Sequence, residues 1–191
     1  MFQEEQKCFS PEEYLALEEA AEFKSEYYQG EIFAMVGASV NHNRIVRNLL
    51  VALAEYLAAK PCEAFASDMR LLVKENGLYT YPDVMVVCGK LEFAEGRTDT
   101  LTNPTVIFEV LSKSTQDYDR GGKFALYRPI ETFQDYVLVD QHCLQVEHFH
   151  RLEDGRWILQ EFKAPEAEVL LDSIGVTIPL SRMYHKVDWM E

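Results

Sequence analysis

Apolar side chains recur along this chain with two different spacings, which separate predicted helices from predicted strands. Between residues 42 and 59 they return every three or four positions, which is typical of one apolar stripe on a helix. The stripe consists of Val46, Leu49, Leu50, Leu53 and Leu57. A shorter helix is predicted over residues 11–21, because Ser10 and Glu13 have capping-box spacing and Pro11 occupies the first helical position.

Short runs rich in β-branched and aromatic residues predict strands over much of the remaining chain. The runs cover residues 63–66, 69–73, 78–81, 84–88, 105–111, 135–140, 144–150, 157–162 and 176–178. Turn residues predict hairpins at Gln29-Gly30 and at residues 153–155. Residues 117–128 are predicted to be a loop that enters a helix. This order predicts an α/β (α+β) chain, with a mixed β-sheet flanked by helices and added N-terminal and C-terminal β-hairpins.

One predicted strand carries a carboxylate in its middle. Glu109 lies between Phe108 and Val110, and the residues that alternate with them make both faces of the strand apolar. The pattern predicts a central strand that is buried on both sides. An isolated carboxylate there would be strongly destabilising or would take up a proton, so Glu109 needs a lysine, an arginine or a metal ion beside it.

A second carboxylate, Asp83, stands at the start of the apolar run 84–88, directly after Pro82. Two carboxylates on neighbouring central strands repel each other, and a divalent cation relieves that repulsion. Mg²⁺ suits such a site because it prefers oxygen ligands. Two alternatives stay open: Asp83 bonds backbone groups at the strand entrance, and Glu109 pairs with a basic side chain without any metal.

Two lysines follow Glu109 at distances that bring an amine within reach of such a site. Lys113 lies four residues after Glu109 in a polar loop, and Lys123 lies fourteen residues after it, at the start of the predicted helix. A lysine beside a metal-bound water can position or deprotonate the nucleophile. The alternative for Lys123 is an ion pair in the first turn of a surface helix.

Three segments, YPDVMVVCG, PTVIFEVLSKSTQDYDRGGKFALYR and DYVLVDQ, resemble the Uma family of restriction-endonuclease-like domains. That family belongs to the PD-(D/E)XK nuclease superfamily, and the resemblance covers most of the chain. It implies one restriction-endonuclease-like domain over residues 1–191. The activity that it implies is cleavage of phosphodiester bonds by a metal-activated water, with Mg²⁺ or Mn²⁺ as the cofactor.

The resemblance also assigns residues to roles. Pro82-Asp83 matches the first acid of the motif and Glu109 the second, which implies that both acids are metal ligands. The motif has a lysine two residues after the second acid, where this chain has Leu111. Members of the family carry a lysine on the following helix, which corresponds to Lys123 here, and Lys113 is the second candidate.

Five further residues are candidates for supporting roles. Glu31 resembles the acid near the start of the family's domain, which approaches the metal or merely closes the hairpin, and the resemblance adds the Val110 carbonyl as a ligand. His42 orients a ligand or contacts phosphate, or else caps its helix or packs against a neighbour. Asp68 and Arg70 support the ligands, or form a turn with an exposed cation.

The overall charge bears on the substrate. The chain has 191 residues, which favours one domain, and its 32 acidic and 18 basic residues give a formal charge of −14. That charge opposes non-specific attraction to nucleic acid and to anionic membranes. A non-catalytic homodimeric binding or assembly module on the same fold therefore stands beside a metal-dependent endonuclease acting on DNA.

The remaining sequence features bear on location and on other metals. The four cysteines, far apart in sequence, predict a reduced protein in which Cys88 is a small buried hydrophobe. His148 and His150 share a strand face, but no acid or cysteine spacing accompanies them, so zinc is not predicted. Residues 1–14 lack the features of a signal peptide, and no apolar stretch reaches the roughly 20 residues of a membrane helix. A cytoplasmic location without membrane contact is expected.

Overall fold

The computed structural model describes residues 7–189 and confirms the mixed α+β fold class. Residues 1–6, on which part of the signal-peptide expectation rests, lie outside the described residues. The strands form a six-stranded sheet, a five-stranded sheet and a two-stranded hairpin. In the part of the chain described, every helix is too short or too polar to cross a membrane.

The helical segments are α1 (Pro11–Ala20), α2 (Val40–Leu57), α3 (Gln116–Tyr118), a π-helical turn (Asp119–Lys123), α4 (Phe124–Tyr127) and α5 (Leu180–Met183). The strands are β1 (Ser25–Tyr28), β2 (Glu31–Ala34), β3 (Cys62–Ala66), β4 (Arg70–Val73), β5 (Leu78–Thr80), β6 (Val84–Cys88), β7 (Thr100–Leu101), β8 (Val106–Leu111), β9 (Asp135–Asp140), β10 (Val146–Arg151), β11 (Trp157–Phe162), β12 (Glu168–Leu171) and β13 (Val176–Pro179).

The six-stranded sheet has the order β11-β10-β9-β8-β6-β3 and is antiparallel except for the parallel pair β8–β9. All six residues of β8 are buried, which confirms the predicted central strand. Parallel neighbours need a crossover connection, and the helical segments between residues 116 and 127 lie in the connection from β8 to β9. This connection contains Lys123, one of the residues that the sequence predicts for the site.

Two hydrophobic cores cover the two faces of this sheet. The α2 core joins helix α2 to the face that carries alternate residues such as Phe108 and Val137. The inter-sheet core joins the other face, with Ile107 and Leu138, to strands β4 and β5 of the five-stranded sheet. Because side chains alternate along a strand, Glu109 points with Ile107 toward the inter-sheet core.

The predicted hairpins at Gln29-Gly30 and at residues 153–155 are both confirmed, as β1–β2 and β10–β11. Helix α2 begins at Val40, two residues before the predicted start, because the Ser39 hydroxyl caps it by accepting the His42 N–H at 3.1 Å. The five-stranded sheet has the order β2-β1-β5-β4-β7, so the N-terminal hairpin extends a larger sheet. Strands β7 and β12 were not predicted; they have only two and four residues.

The prediction of a reduced Cys88 is wrong, because Cys62 and Cys88 form a disulfide. The two residues face each other in the antiparallel register of β3 and β6, with their Cα atoms 4.0 Å apart. They are separated by 26 residues in sequence, so only the pairing of the two strands brings the thiols together. Cys8 and Cys143 carry exposed free thiols.

Candidate active site

The register between β6 and β8 brings the two predicted acids together. Val84 pairs with Phe108, and continuing this antiparallel register by one residue places Asp83 opposite Glu109. The Val110 N–H donates a hydrogen bond of 2.7 Å to Asp83 Oδ2. Both acids therefore lie at the same end of neighbouring strands, as the sequence predicted.

Lys123 is the buried cation of this cluster. Its Nζ lies 3.0 Å from Glu109 Oε1 and 3.2 Å from Glu26 Oε1, and the Tyr127 hydroxyl donates a hydrogen bond of 2.8 Å to the same Glu109 oxygen. Only 4% of Glu109 and 7% of Lys123 is exposed. Lys123 is thus enclosed between two carboxylates and is not part of a surface helix.

The π-helical turn gives this connection its charged inner side. Asp119 and Lys123 stand at the two ends of the turn, and both are buried. Gly122 lies against the Tyr118 ring, where an added Cβ would be 2.8 Å from the nearest ring carbon, so a larger residue would displace the ring. Single π turns inside helices recur at functional sites because they redirect side chains. The predicted passage from loop to helix is confirmed, whereas the π turn was not predicted.

His42 holds Asp83 from the other side of the site. Its Nε2 lies 3.1 Å from Asp83 Oδ1, while Val110 occupies the other oxygen. The His42 backbone N–H donates to the Ser39 hydroxyl, so Ser39 and not His42 caps the helix, while the His42 ring contacts Asp83. Its Nδ1 is buried without a hydrogen-bond partner among residues 7–189. The carboxylate of Asp83 is therefore fixed by one backbone donor and one imidazole.

Negative charge exceeds positive charge in this cluster. Burial raises the pKa of Glu109 to about 8; the Lys123 ammonium opposes the shift, and the charges of Asp83, Asp119 and Glu26 add to it. Burial on its own lowers the pKa of Lys123, but the surrounding carboxylates outweigh that effect and hold it well above its ordinary value. Lys123 therefore stays protonated, because the charges of Glu109, Glu26 and Asp119 all act on its ammonium group.

The raised pKa of Glu109 predicts that the metal-free protein loses stability as the pH rises. Glutamate in the unfolded chain titrates near 4.5 and Glu109 in the folded chain near 8, so the folded state binds the extra proton between these values. This contribution to the free energy of unfolding is complete below about pH 4.5 and declines by about 1.4 kcal/mol per pH unit until the pH passes 8. Glutamine cannot ionise and resembles the protonated glutamate, so the stability of Glu109→Gln should lack the pH dependence that Glu109 causes.

Urea unfolding in EDTA checks this dependence for both proteins from about pH 5 to about pH 8. We expect the stability of the wild type to decline relative to Glu109→Gln across this range. Parallel dependences in the two proteins would show that Glu109 is already ionised at low pH.

Two sequence candidates lie away from the buried cluster. Glu31 is exposed in β2, and Lys113 is exposed in the loop after β8. The acid that this hairpin contributes to Lys123 is Glu26, which the sequence reasoning missed. Like Glu109, Glu26 is a carboxylate inside a predicted strand, here the aromatic segment SEYY. A strand of only four residues does not indicate which of its two faces is buried, so the sequence did not mark Glu26 as a buried acid.

The predicted supporting pair also lies elsewhere. Asp68 is exposed and pairs with Lys24. Arg70 was expected to be an exposed cation, which is wrong: it is 5% exposed, its Nε donates to the Tyr81 hydroxyl at 2.8 Å, and its guanidinium lies over the Tyr14 and Tyr81 rings. Arg70 thus joins α1 to the five-stranded sheet.

A second polar cluster lies on β9 and β10. Asp135 Oδ1 is 2.7 Å from His148 Nε2 and 2.7 Å from His150 Nδ1. The expectation that no acid accompanies these histidines is therefore wrong. Asp135 is distant in sequence and reaches them only through the antiparallel register of the two strands.

Comparison with known proteins supports the same fold. A solved structure described as a "putative nuclease belonging to DUF820" from Anabaena variabilis matches with a TM-score of 0.75, covering 92% of this chain and 97% of that chain. The identity is 19%, so this likeness shows the fold alone. Two uncharacterized proteins of Synechocystis are more similar in sequence. One is 43% identical, covering 85% of this chain and 92% of its own length, and the other is 38% identical, covering 92% and 90%.

A family model described as "Putative restriction endonuclease" matches residues 11–181. The match includes strands β6 and β8 and the helical connection that together form the buried cluster. The resemblance inferred from the three sequence segments is confirmed, and the chain belongs to the Uma2 family of restriction-endonuclease-like proteins.

Proposed function

We propose that this protein is a Mg²⁺-dependent endonuclease that hydrolyses phosphodiester bonds of DNA, and that Mn²⁺ can replace Mg²⁺. The observation that carries the proposal is the meeting of Asp83 and Glu109 across two central strands, with the Lys123 ammonium 3.0 Å from Glu109. Two acids and a lysine at one end of a buried sheet are the groups that metal-assisted hydrolysis needs.

The donor set fits Mg²⁺, which prefers carboxylate and carbonyl oxygens. Asp83 and Glu109 would hold the ion, and a divalent cation would relieve the repulsion that contributes to the raised Glu109 pKa. The Val110 carbonyl is a further ligand in this proposal, because the N–H and C=O of one strand residue point to the same side and the Val110 N–H points at Asp83. When bound, Mg²⁺ polarises a phosphoryl oxygen and lowers the pKa of its bound water.

The protein's own residues orient the reacting groups. Lys123 keeps its proton, so it donates hydrogen bonds to the attacking water and stabilises negative charge on the phosphate; it does not act as a base. Lys123 and Tyr127 both contact Oε1 of Glu109, which leaves Oε2 for the metal. In this proposal Glu26 anchors the ammonium, whereas the sequence suggested that Glu31 approaches the metal or closes the hairpin. Lys123 is the working lysine in this proposal, in place of Lys113.

A local basic surface offsets the overall charge of −14. Three cations, Arg47, Arg182 and Lys186, line an open pocket of about 410 Å³, and Arg182 also pairs with Glu55. Such a group of cations is suited to phosphate oxygens, and its contribution to DNA binding should weaken as the salt concentration rises. A cytoplasmic location, where DNA is available, belongs to this proposal.

Cleavage of supercoiled plasmid DNA tests the function. We expect conversion to nicked and then linear DNA with Mg²⁺ or Mn²⁺, no conversion in EDTA, and slower cleavage of single-stranded RNA under the same conditions. Intact plasmid with both ions, together with no Mg²⁺ binding in a calorimetric titration, would contradict the proposal.

The alternative is a non-catalytic homodimeric module, and two observations favour it. Lys123 already pairs with both Glu109 and Glu26, so the cluster has an internal cation. Strand β11 is at the edge of the six-stranded sheet and exposes Ile158 and Leu159 by 47% and 48%, so it offers a surface for pairing across a two-fold axis. An inactive protein that sediments as a dimer would support this alternative.

A further inference from the structure

We propose that Asp135, His148 and His150 form a binding site for a transition-metal ion of the Zn²⁺ class, separate from the Mg²⁺ site. The proposal does not rest on nuclease activity, because the two sites share no residue. The three side chains belong to the face of the sheet opposite to the one that carries Glu109.

The strand register places all three side chains on one face. His148 and His150 are two residues apart in β10, and Asp135 in β9 pairs directly with His150. His148 pairs with Val137, whose side chain belongs to the α2 core. Glu109, by contrast, points toward the inter-sheet core. The sheet therefore separates this cluster from the candidate nuclease site.

The ligand atoms of the three residues already converge. One oxygen of Asp135 lies 2.7 Å from a ring nitrogen of each histidine, and all three ligand atoms lie within 4.8 Å of one another. Within residues 7–189 this is the one group of three histidine, cysteine or acidic side chains with that convergence. The fold therefore brings together three potential metal ligands, none of which belongs to the acidic motif of Asp83 and Glu109.

Two imidazoles and one carboxylate select the class of metal. Zn²⁺ and neighbouring divalent transition metals bind this set, whereas Mg²⁺ prefers oxygen ligands alone. Zn–N and Zn–O distances of about 2.1 Å with tetrahedral angles hold ligand atoms about 3.4 Å apart. Binding therefore needs the two contacts of Asp135 to widen by about 0.7 Å, which small rotations of the side chains supply.

Neighbouring groups hold the ligands in place. The Ser173 hydroxyl, in the turn between β12 and β13, donates to Asp135 Oδ2, so that Oδ1 faces the histidines. A hydrogen bond of this kind fixes a metal-binding carboxylate. His148 is buried, and its Nδ1 has no hydrogen-bond partner among the described residues. The only polar contact of the His148 ring in this part of the chain is thus at the cluster itself.

The cluster has a route to solvent. The His150 side chain is 30% exposed, and His150 and Ser173 line an open pocket of about 410 Å³ together with Gln134 and Arg151. A metal ion can enter from this pocket, and its fourth position would face the pocket and take a water or a small anionic ligand. Three protein ligands with one open position is the arrangement of catalytic zinc sites.

Titration of the purified protein with Co²⁺ and Zn²⁺ tests the proposal. We expect one Co²⁺ ion to bind with visible absorption bands typical of nitrogen ligation, Zn²⁺ to displace it, and millimolar Mg²⁺ to leave the bands unchanged. His150→Ala removes a partly exposed ligand and should weaken Zn²⁺ binding at least about 100-fold. His142→Ala removes an exposed histidine outside the cluster and should bind Zn²⁺ as the wild type does.

The metal titration separates this proposal from the nuclease proposal. Loss of the Co²⁺ bands in His150→Ala, whether or not plasmid is cleaved, supports the second site. Equal Zn²⁺ affinity in the wild type and in His150→Ala would overturn it, as would absence of Co²⁺ bands in the wild type.

Discussion

Replacing Asp83 by asparagine is expected to lower Mg²⁺-dependent DNA cleavage by about 100-fold or more. Asparagine retains an oxygen that can accept the Val110 N–H, so the strand entrance keeps its hydrogen bond. It removes the negative charge that, with Glu109, attracts the divalent ion. The loss should be of the size seen when a group that stabilises charge in the transition state is removed. The initial rate of plasmid nicking at saturating Mg²⁺ measures it.

Asp154→Asn is the matched control, because Asp154 is an exposed acid in the β10–β11 hairpin. We expect this variant to nick plasmid at the wild-type rate. Calorimetry should show weakened Mg²⁺ binding in Asp83→Asn alone, with an unchanged far-UV circular dichroism spectrum. Cleavage by Asp83→Asn at the wild-type rate would exclude Asp83 as a ligand, even if Glu109 remained essential.

Replacing Lys123 by methionine is expected to lower the free energy of unfolding by about 3 kcal/mol above pH 8, where Glu109 is ionised, because removing one partner of a buried pair leaves an uncompensated charge. Glu109 and Glu26 both lose their cation. The loss should be larger above pH 8 than below it, because Glu109 can take up a proton at lower pH. Urea unfolding at both pH values measures the effect.

Two further variants separate charge from packing at Lys123. Lys113→Met changes an exposed lysine and should alter stability by less than about 0.5 kcal/mol. Above pH 8 the double variant Lys123→Met/Glu109→Gln removes both charges of the pair and should recover much of the loss. A double variant as unstable as Lys123→Met alone would mean that the lost packing of the lysine stem, and not the bare carboxylate, causes the instability.

The sequence predicted those parts of the site that depend on one strand at a time. A carboxylate within an apolar run must meet a cation, and this argument located Glu109 without any knowledge of its neighbours. Asp83 followed from its place at the entrance of the next apolar run. The long helix and both hairpins were likewise predictable, because their signals are local spacing and turn residues.

The features that the sequence did not predict depend on which strands pair and in what register. Cys62 meets Cys88, and Asp135 meets two histidines, only because antiparallel neighbours align them. Glu26 reaches Lys123 from the other sheet, so its role depends on how the two sheets pack together. The spacing of residues along the chain does not indicate contacts that depend on strand pairing and sheet packing.

The π-helical turn has a consequence for recognising members of this family from sequence. Motif searches assume a constant number of residues between the second acid and its lysine, but a π turn accommodates an additional residue without interrupting the helix. A relative with a regular helix at this point would present its amine from a neighbouring position in the alignment. Searches that require lysine in one fixed column would therefore miss members of the family, whereas a tolerance of one residue at Gly121-Gly122 would retain them.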